Sequence, residues 1–169
     1  MTGGMQHPVR QTLYLDTPDQ TAAFAAALAP LLGPGDTVLL NGPIGAGKSH
    51  FARSLIRARL AALGIEEDIP SPTFTLVQTY LAGDVEIWHA DLYRLSGPAE
   101  VDELGLWDAF DTAICLVEWP DRLGSYAPGN ALSLHLTPTG ERGHRRAELV
   151  FADPSWQARI EQAGSVYAR

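Results

Sequence analysis

The sequence predicts an α/β layered fold with a mixed, mainly parallel central sheet and antiparallel hairpins. Three observations carry that prediction. A short apolar strand, Thr37 to Leu40, runs through a glycine-rich loop into an amphipathic helix. Ala113-Ile114-Cys115-Leu116-Val117 is a continuous apolar run, the pattern of a central strand covered on both faces. Two pairs of short strand-like runs read as antiparallel hairpins. Strands alternating with helices in one part of a chain, and hairpins elsewhere, make a layered α/β domain.

In chain order, Val9 to Leu15 places Val9, Leu13 and Leu15 on alternating positions, a short strand. Thr17-Pro18-Asp19-Gln20 then starts a helix: Thr17 caps it, Pro18 takes the first helical position, and Gln20 completes a capping box. The helix runs to about Ala29 and is stopped by Gly33-Pro34-Gly35. After the Thr37 to Leu40 strand and the loop, Phe51, Leu55 and Ile56 recur at helical spacing up to a stop at Gly64. Phe74 to Leu81 and Val85 to Ala90 flank Ala82-Gly83-Asp84 as a hairpin. Ser96-Gly97-Pro98 with Glu100 caps a helix through Leu104, and Leu106 to Phe110 adds one more turn. Leu132 to Leu136 and Ala147 to Phe151 form a second antiparallel pair, and Asp153-Pro154-Ser155-Trp156 opens a terminal helix.

Composition bounds the function. The 169 residues suit one domain, read as 1–169 with loose tails at 1–8 and 164–169. At 46% hydrophobic and 19% charged residues the chain can build its own core and is not of the disordered class. One cysteine, Cys115, excludes a disulfide framework and a zinc site of several thiolates; inside its apolar strand it reads as a small hydrophobe. A net charge of −8 argues against a protein whose main task is gripping a nucleic-acid backbone. The start of the chain lacks a secretory pattern, and no stretch nears the roughly 20 apolar residues of a membrane span. A cytoplasmic setting without membrane contact is expected.

Gly42-Pro43-Ile44-Gly45-Ala46-Gly47-Lys48-Ser49 matches G-x-x-x-x-G-K-[ST] at every fixed position, with a strand before it and a helix after it. The glycines let the loop curl so that successive backbone N–H groups point at phosphate oxygens, and the helix adds its positive end to the same anion. Lys48 reaches the outer phosphates, and the Ser49 hydroxyl ligates Mg²⁺. The prediction sharpens to a P-loop NTPase-type fold that binds a nucleotide with Mg²⁺. Such loops need an acidic partner for the metal and the attacking water. Glu118, at the end of the most apolar strand, and Asp91, at the end of a patchier one, are the candidates.

Other residues are ambiguous on spacing alone. Ser71-Pro72-Thr73 can sense a terminal phosphate, but ordinary turn chemistry explains it better. His50 abuts Ser49 and joins the candidate nucleotide contacts. Neither His50 nor His89 has partner spacing for a metal or a triad, and both read as surface or supporting residues. Trp119 either stacks on the nucleotide or fills core. Arg142, Arg145 and Arg146 read as a solvated hairpin tip. The guanine reader N-K-x-D is absent, and Leu95-Ser96-Gly97 continues into Pro98 where a transporter ATPase signature would not. A small-molecule kinase with the Arg142–Arg146 segment as its lid, and a nucleotide-gated binding module with incidental hydrolysis, stay open as alternatives.

Taken together, Gly42 to Ser49, Ser71-Pro72-Thr73-Phe74-Thr75-Leu76-Val77, His89-Ala90-Asp91-Leu92-Tyr93-Arg94-Leu95, Glu103-Leu104-Gly105-Leu106 and Leu116-Val117-Glu118-Trp119-Pro120 resemble the TsaE (YjeE) family in order and spacing. The resemblance covers roughly Thr17 to Arg146. It implies a cytoplasmic, Mg²⁺-dependent ATPase, weak alone, that supports the TsaD–TsaB pair in threonylcarbamoyladenosine modification of tRNA. The tRNA is then met through that complex, which suits the −8 charge. By the same resemblance Ser49 and Glu118 hold the metal, Asp91 is a second essential carboxylate, Thr73 a switch threonine and Trp119 a sensitive aromatic. Asp19 falls near an adenine-side contact, and one arginine of the 142–146 cluster reaches the nucleotide. The departures are small. Ser49 stands where threonine is usual, Pro43 where an acidic residue is more common, and His50 where a small hydroxyl residue is frequent.

Overall fold

The computed structural model describes residues 7–165. Apart from His7, Pro8, Gly164 and Ser165, the tails expected at 1–8 and 164–169 lie outside the described residues; Gly164 is the last residue of the terminal helix. The elements are β1 (Val9–Leu15), α1 (Pro18–Leu28), β2 (Thr37–Asn41), α2 (Lys48–Ala61), β3 (Val77–Ala82), β4 (Val85–Asp91), α3 (Pro98–Asp102), α4 (Leu106–Thr112), β5 (Ile114–Glu118), β6 (Leu132–Pro138), β7 (Arg145–Phe151) and α5 (Ser155–Gly164). Short 3₁₀ turns follow α1 at Ala29–Leu31 and β5 at Pro120–Tyr126.

One seven-stranded sheet runs β1-β7-β6-β2-β5-β4-β3. Its middle strands β6, β2, β5 and β4 are mutually parallel, while β3, β7 and β1 pair antiparallel at the flanks. The mixed sheet, both hairpins and the terminal helix are as the sequence predicts. Thr17 Oγ1 accepts from the Gln20 N–H at 3.1 Å, but the Gln20 side chain accepts from the Asp16 N–H at 2.7 Å, one residue before the capping-box position.

Two boundaries shift. β3 begins at Val77, not Phe74, because residues 72–76 close a turn: the Leu76 N–H donates to Pro72 O at 2.8 Å and Leu76 has φ of +69°. α3 stops at Asp102, since Leu104 N–H bonds back to Val101 O and Gly105 turns the chain with φ of +81°. Its cap is also reversed: the Glu100 carboxylate reaches back to accept from the Ser96 N–H at 3.1 Å and from the Ser96 hydroxyl.

Alternation along β2 and β5 divides the core in two. Val38, Leu40, Ile114 and Leu116 face α1, α2 and α5, where Phe24, Leu28, Phe51, Leu55 and Trp156 are buried. Leu39, Cys115 and Val117 face α3, α4 and the 3₁₀ turn, with Val101, Leu106, Phe110 and Leu123. That two-sided burial is why Ile114–Val117 is apolar without a break. The same alternation sets the site. Glu118 continues the Ile114–Leu116 side toward α2, and on β4 Ile87, His89 and Asp91 share that face. The parallel β4–β5 register puts Asp91 beside Glu118, and β2–β5 pairing puts Leu40 opposite Glu118. The carboxyl ends of β2, β4 and β5 thus meet at one edge, where ligands bind in open α/β sheets.

Candidate nucleotide site

Gly42 leaves β2 with φ of +148°, and a Cβ on it would stand 2.5 Å from the Leu136 carbonyl oxygen of β6. Only a residue without a side chain lets the loop leave the sheet this close to its neighbour. The loop closes through Ala46 N–H to Pro43 O at 3.0 Å, and Gly47, with φ of +102°, caps α2. Phe51 N–H to Gly47 O at 2.9 Å starts the helical ladder, so the first turn of α2 carries Lys48 and Ser49 at the positive helix end.

A cavity of about 420 Å³ opens over this turn. Ile44, Gly45, Gly47, Lys48, Ser49, His50, Thr73, Asp91, Glu118 and Trp119 all line it, along with Tyr93. Gly42, Pro43 and Ala46 shape the loop without facing the cavity. Asp19 is exposed in the first turn of α1, outside this cavity and outside a smaller one of about 210 Å³ behind the loop, lined by Pro18, Thr21, Ala46, Gly47, His50, Gly143 and Arg145. His50 Nε2 donates to Pro18 O at 2.9 Å and so ties α2 to the start of α1.

Lys48 and Glu118 are buried at 6% and 3% exposure, with Asp91 at 7%. The Ser49 hydroxyl lies 2.8 and 2.9 Å from the two Glu118 oxygens. The Lys48 ammonium donates to Gly42 O and sits 3.6 Å from the centre of the Trp119 ring. Trp119 reaches this place because its own backbone is left-handed, with φ of +57°, which turns the ring back over the loop; Tyr93 packs on it at 4.9 Å. Burial lowers the Lys48 pKa, opposed by the charges of Glu118, Asp91 and Asp121. Burial raises the Asp91 pKa, opposed first by the Tyr93 N–H that donates to Asp91 Oδ1 at 3.0 Å, while the Glu118 charge pushes further up.

Of the two readings of His89, surface or supporting, the structure takes the second: it is wholly buried, with Nε2 2.7 Å from Glu118 Oε2. The signal was its position two residues before Asp91 on one strand, hence on one face. Arg145 is not a solvated tip residue. Its guanidinium donates to Ala46 O at 2.7 Å and Gly45 O at 3.0 Å, gripping the outside of the glycine-rich loop, whereas Arg142 and Arg146 are exposed. Nothing in the local sequence separates the three; β1–β7–β6 pairing does. Thr73 lines the cavity, its hydroxyl 2.9 Å from that of Ser71. Cys115 is a buried free thiol, as expected of a small hydrophobe.

The donor set suits a magnesium polyphosphate. Ser49, Glu118 and Asp91 offer hard oxygens beside the Lys48 ammonium. Among the described residues no group of three or more His, Cys, Asp or Glu side chains is placed to cage a metal.

The family profile described as "Threonylcarbamoyl adenosine biosynthesis protein TsaE" matches residues 15–147. The chain belongs to the TsaE family. A TsaE-named protein of Rickettsia bellii is 39% identical over 132 residues, spanning 78% of this chain and 89% of that one. Its Rickettsia conorii counterpart is 44% identical over 107 residues, 63% of this chain and 59% of that one. The crystal structure of Bacillus subtilis YdiB superposes with a TM-score of 0.73 at 24% identity, covering 95% of this chain and 97% of the other, a likeness of fold. The TsaE profile spans every residue lining the cavity, from Ile44 to Trp119. Among the described residues no helix is long and apolar enough to cross a membrane.

Proposed function

We propose that this TsaE-family chain is a Mg²⁺-dependent ATP hydrolase that serves a TsaD–TsaB-like complex in threonylcarbamoyladenosine modification of tRNA. In this reading it meets tRNA through that complex, in the cytoplasm. One observation carries the hydrolase reading: Lys48 and Ser49 of the phosphate loop share a cavity with two buried carboxylates, Asp91 and Glu118, and Ser49 touches Glu118 directly.

The roles follow from that geometry. Ser49 and Glu118 would hold Mg²⁺, which when bound would supply positive charge against the phosphates. Lys48 exchanges Gly42 O for phosphate oxygen, a change from a neutral acceptor to a charged one that favours binding. Ser49 and Glu118 present oxygens to the metal side, and Asp91 accepts a hydrogen bond from the attacking water. Trp119 covers Lys48 and excludes solvent from it, which strengthens each charge interaction below it. The exposed Thr73 stands at the mouth, where a terminal phosphate comes within reach of its hydroxyl.

The kinase alternative needs a mobile arginine lid, and Arg145 is instead committed to the loop carbonyls. The test is steady-state ATP hydrolysis by the purified protein, alone and with TsaD–TsaB. A low basal rate that rises on addition supports the reading. No rise with active partners removes the proposed partner role and leaves a nucleotide site alone. Complex function that persists in a variant able to bind ATP but not hydrolyse it would instead favour a nucleotide-gated module.

A further inference from the structure

His89 is an imidazole with no exposed surface, placed on β4 between the core residue Ile87 and the cavity residue Asp91. Its Nε2 lies 2.7 Å from Glu118 Oε2, and its Nδ1 is buried without a hydrogen-bond partner. An apolar side chain would fill this place without orphaning a polar atom, so packing does not explain a histidine. Its contact with Glu118 does. Among the described residues, the other hydrogen bond to that carboxylate comes from the Ser49 hydroxyl, at 2.8 and 2.9 Å from its two oxygens. A hydroxyl has one hydrogen to share between both, so Ser49 alone leaves the carboxylate plane free to turn.

We propose that His89 is a positioning residue: its Nε2–H holds Glu118 Oε2 and so sets the plane in which Glu118 faces Ser49 and the metal side of the cavity. The hydrogen is assigned by the partners. A carboxylate only accepts, so Nε2 donates. A hydrogen on Nδ1 would leave a buried donor unmatched, whereas a bare Nδ1 leaves only a lone pair. The ring is therefore held in its Nε2-protonated tautomer, as in the outer partners that orient metal-binding groups. The consequence for metal binding rests on the nucleotide reading above; the tautomer and the hold on Glu118 do not.

Two measurements test it. In the full-length protein without nucleotide or metal, labelled uniformly with ¹³C and ¹⁵N, the His89 ring signal is assigned through bonds from its own backbone. A pyrrole-type Nε2 and a pyridine-type Nδ1 are expected; the opposite tautomer, or an averaged pair, overturns the proposal. ATP affinity is then measured by calorimetry with and without Mg²⁺. His89→Leu should lose about 10–100-fold of the affinity gained from Mg²⁺. His89→Gln, whose amide offers an N–H, should recover most of that gain. A leucine variant with the wild-type Mg²⁺ gain, or a glutamine variant no better than leucine, overturns the positioning role. If neither variant folds, the wild-type tautomer decides alone. If wild type shows no Mg²⁺-dependent ATP binding, the nucleotide reading falls and the tautomer still decides the hold on Glu118.

Discussion

Gly42→Ala isolates what the phosphate loop demands of its first residue. The new methyl would meet Leu136 O at 2.5 Å and Ala46 Cβ at 3.0 Å. Leu136 is paired with Ala147 in the β6–β7 ladder, so its carbonyl cannot retreat without disturbing the sheet. The positive φ costs an L-residue about 1–2 kcal/mol. Forcing a methyl group into a filled space costs about 1–3 kcal/mol more. Together these take about 2–5 kcal/mol from a domain stability of about 5–15 kcal/mol. Gly45→Ala is the control: its φ is +82°, yet nothing lies within 4 Å of the added Cβ, so only the first cost applies. Urea unfolding of both variants measures the difference. Gly42→Ala should lose about 1–3 kcal/mol more than Gly45→Ala, and should also bind ATP more weakly as the loop is pushed off β6. Equal losses in the two variants would refute the claim that the approach to Leu136 requires glycine.

Three further outcomes are expected. Lys48→Ala should abolish ATP binding, while Glu118→Gln should keep measurable binding and lose about 10²–10⁴-fold in hydrolysis; hydrolysis at the wild-type rate by Glu118→Gln would remove that residue from the catalytic machinery. Asp91→Asn should change stability in a pH-dependent way. Burial raises the Asp91 pKa, so the fold binds more protons than the unfolded chain, and the stability from this group is full below the ordinary aspartate value of about 3.9 and lost as pH rises through the raised one. The asparagine variant should therefore gain on wild type as pH climbs from about 4 to 7, read as the difference in melting temperature; a constant offset contradicts the sign. Cys115, fully buried with its pKa pushed up to about 12 by burial, should resist a thiol reagent in the native protein and react once urea unfolds it. Rapid native labelling would mean that β5 opens locally.

Much of this was legible in residue order because it depends on neighbours in the chain. Gly42 to Ser49 forms one loop, and its glycines and its lysine–serine pair act through backbone conformation and reach within eight consecutive positions. The unbroken apolar run Ile114–Val117 reported burial on both faces, which made Glu118 a strand-end carboxylate before any contact was known. Where the reading slipped, local signals competed with tertiary ones: Leu76, in a left-handed turn, delays β3, and Arg145 is chemically indistinguishable from Arg142 and Arg146.

The sequence by itself determined the glycine-rich loop, the strands that flank it and the two carboxylates at strand ends, because short-range sterics and periodicity decide these. Only the tertiary structure decided which distant groups meet. Asp91 stands beside Glu118 through β4–β5 pairing, Ser49 reaches Glu118 across 69 positions, His89 turns inward against that same carboxylate, and Arg145 grips a loop 99 and 100 residues earlier. Those meetings depend on strand order and register, which are chosen by the burial shared across both faces of the whole sheet and not by any one segment.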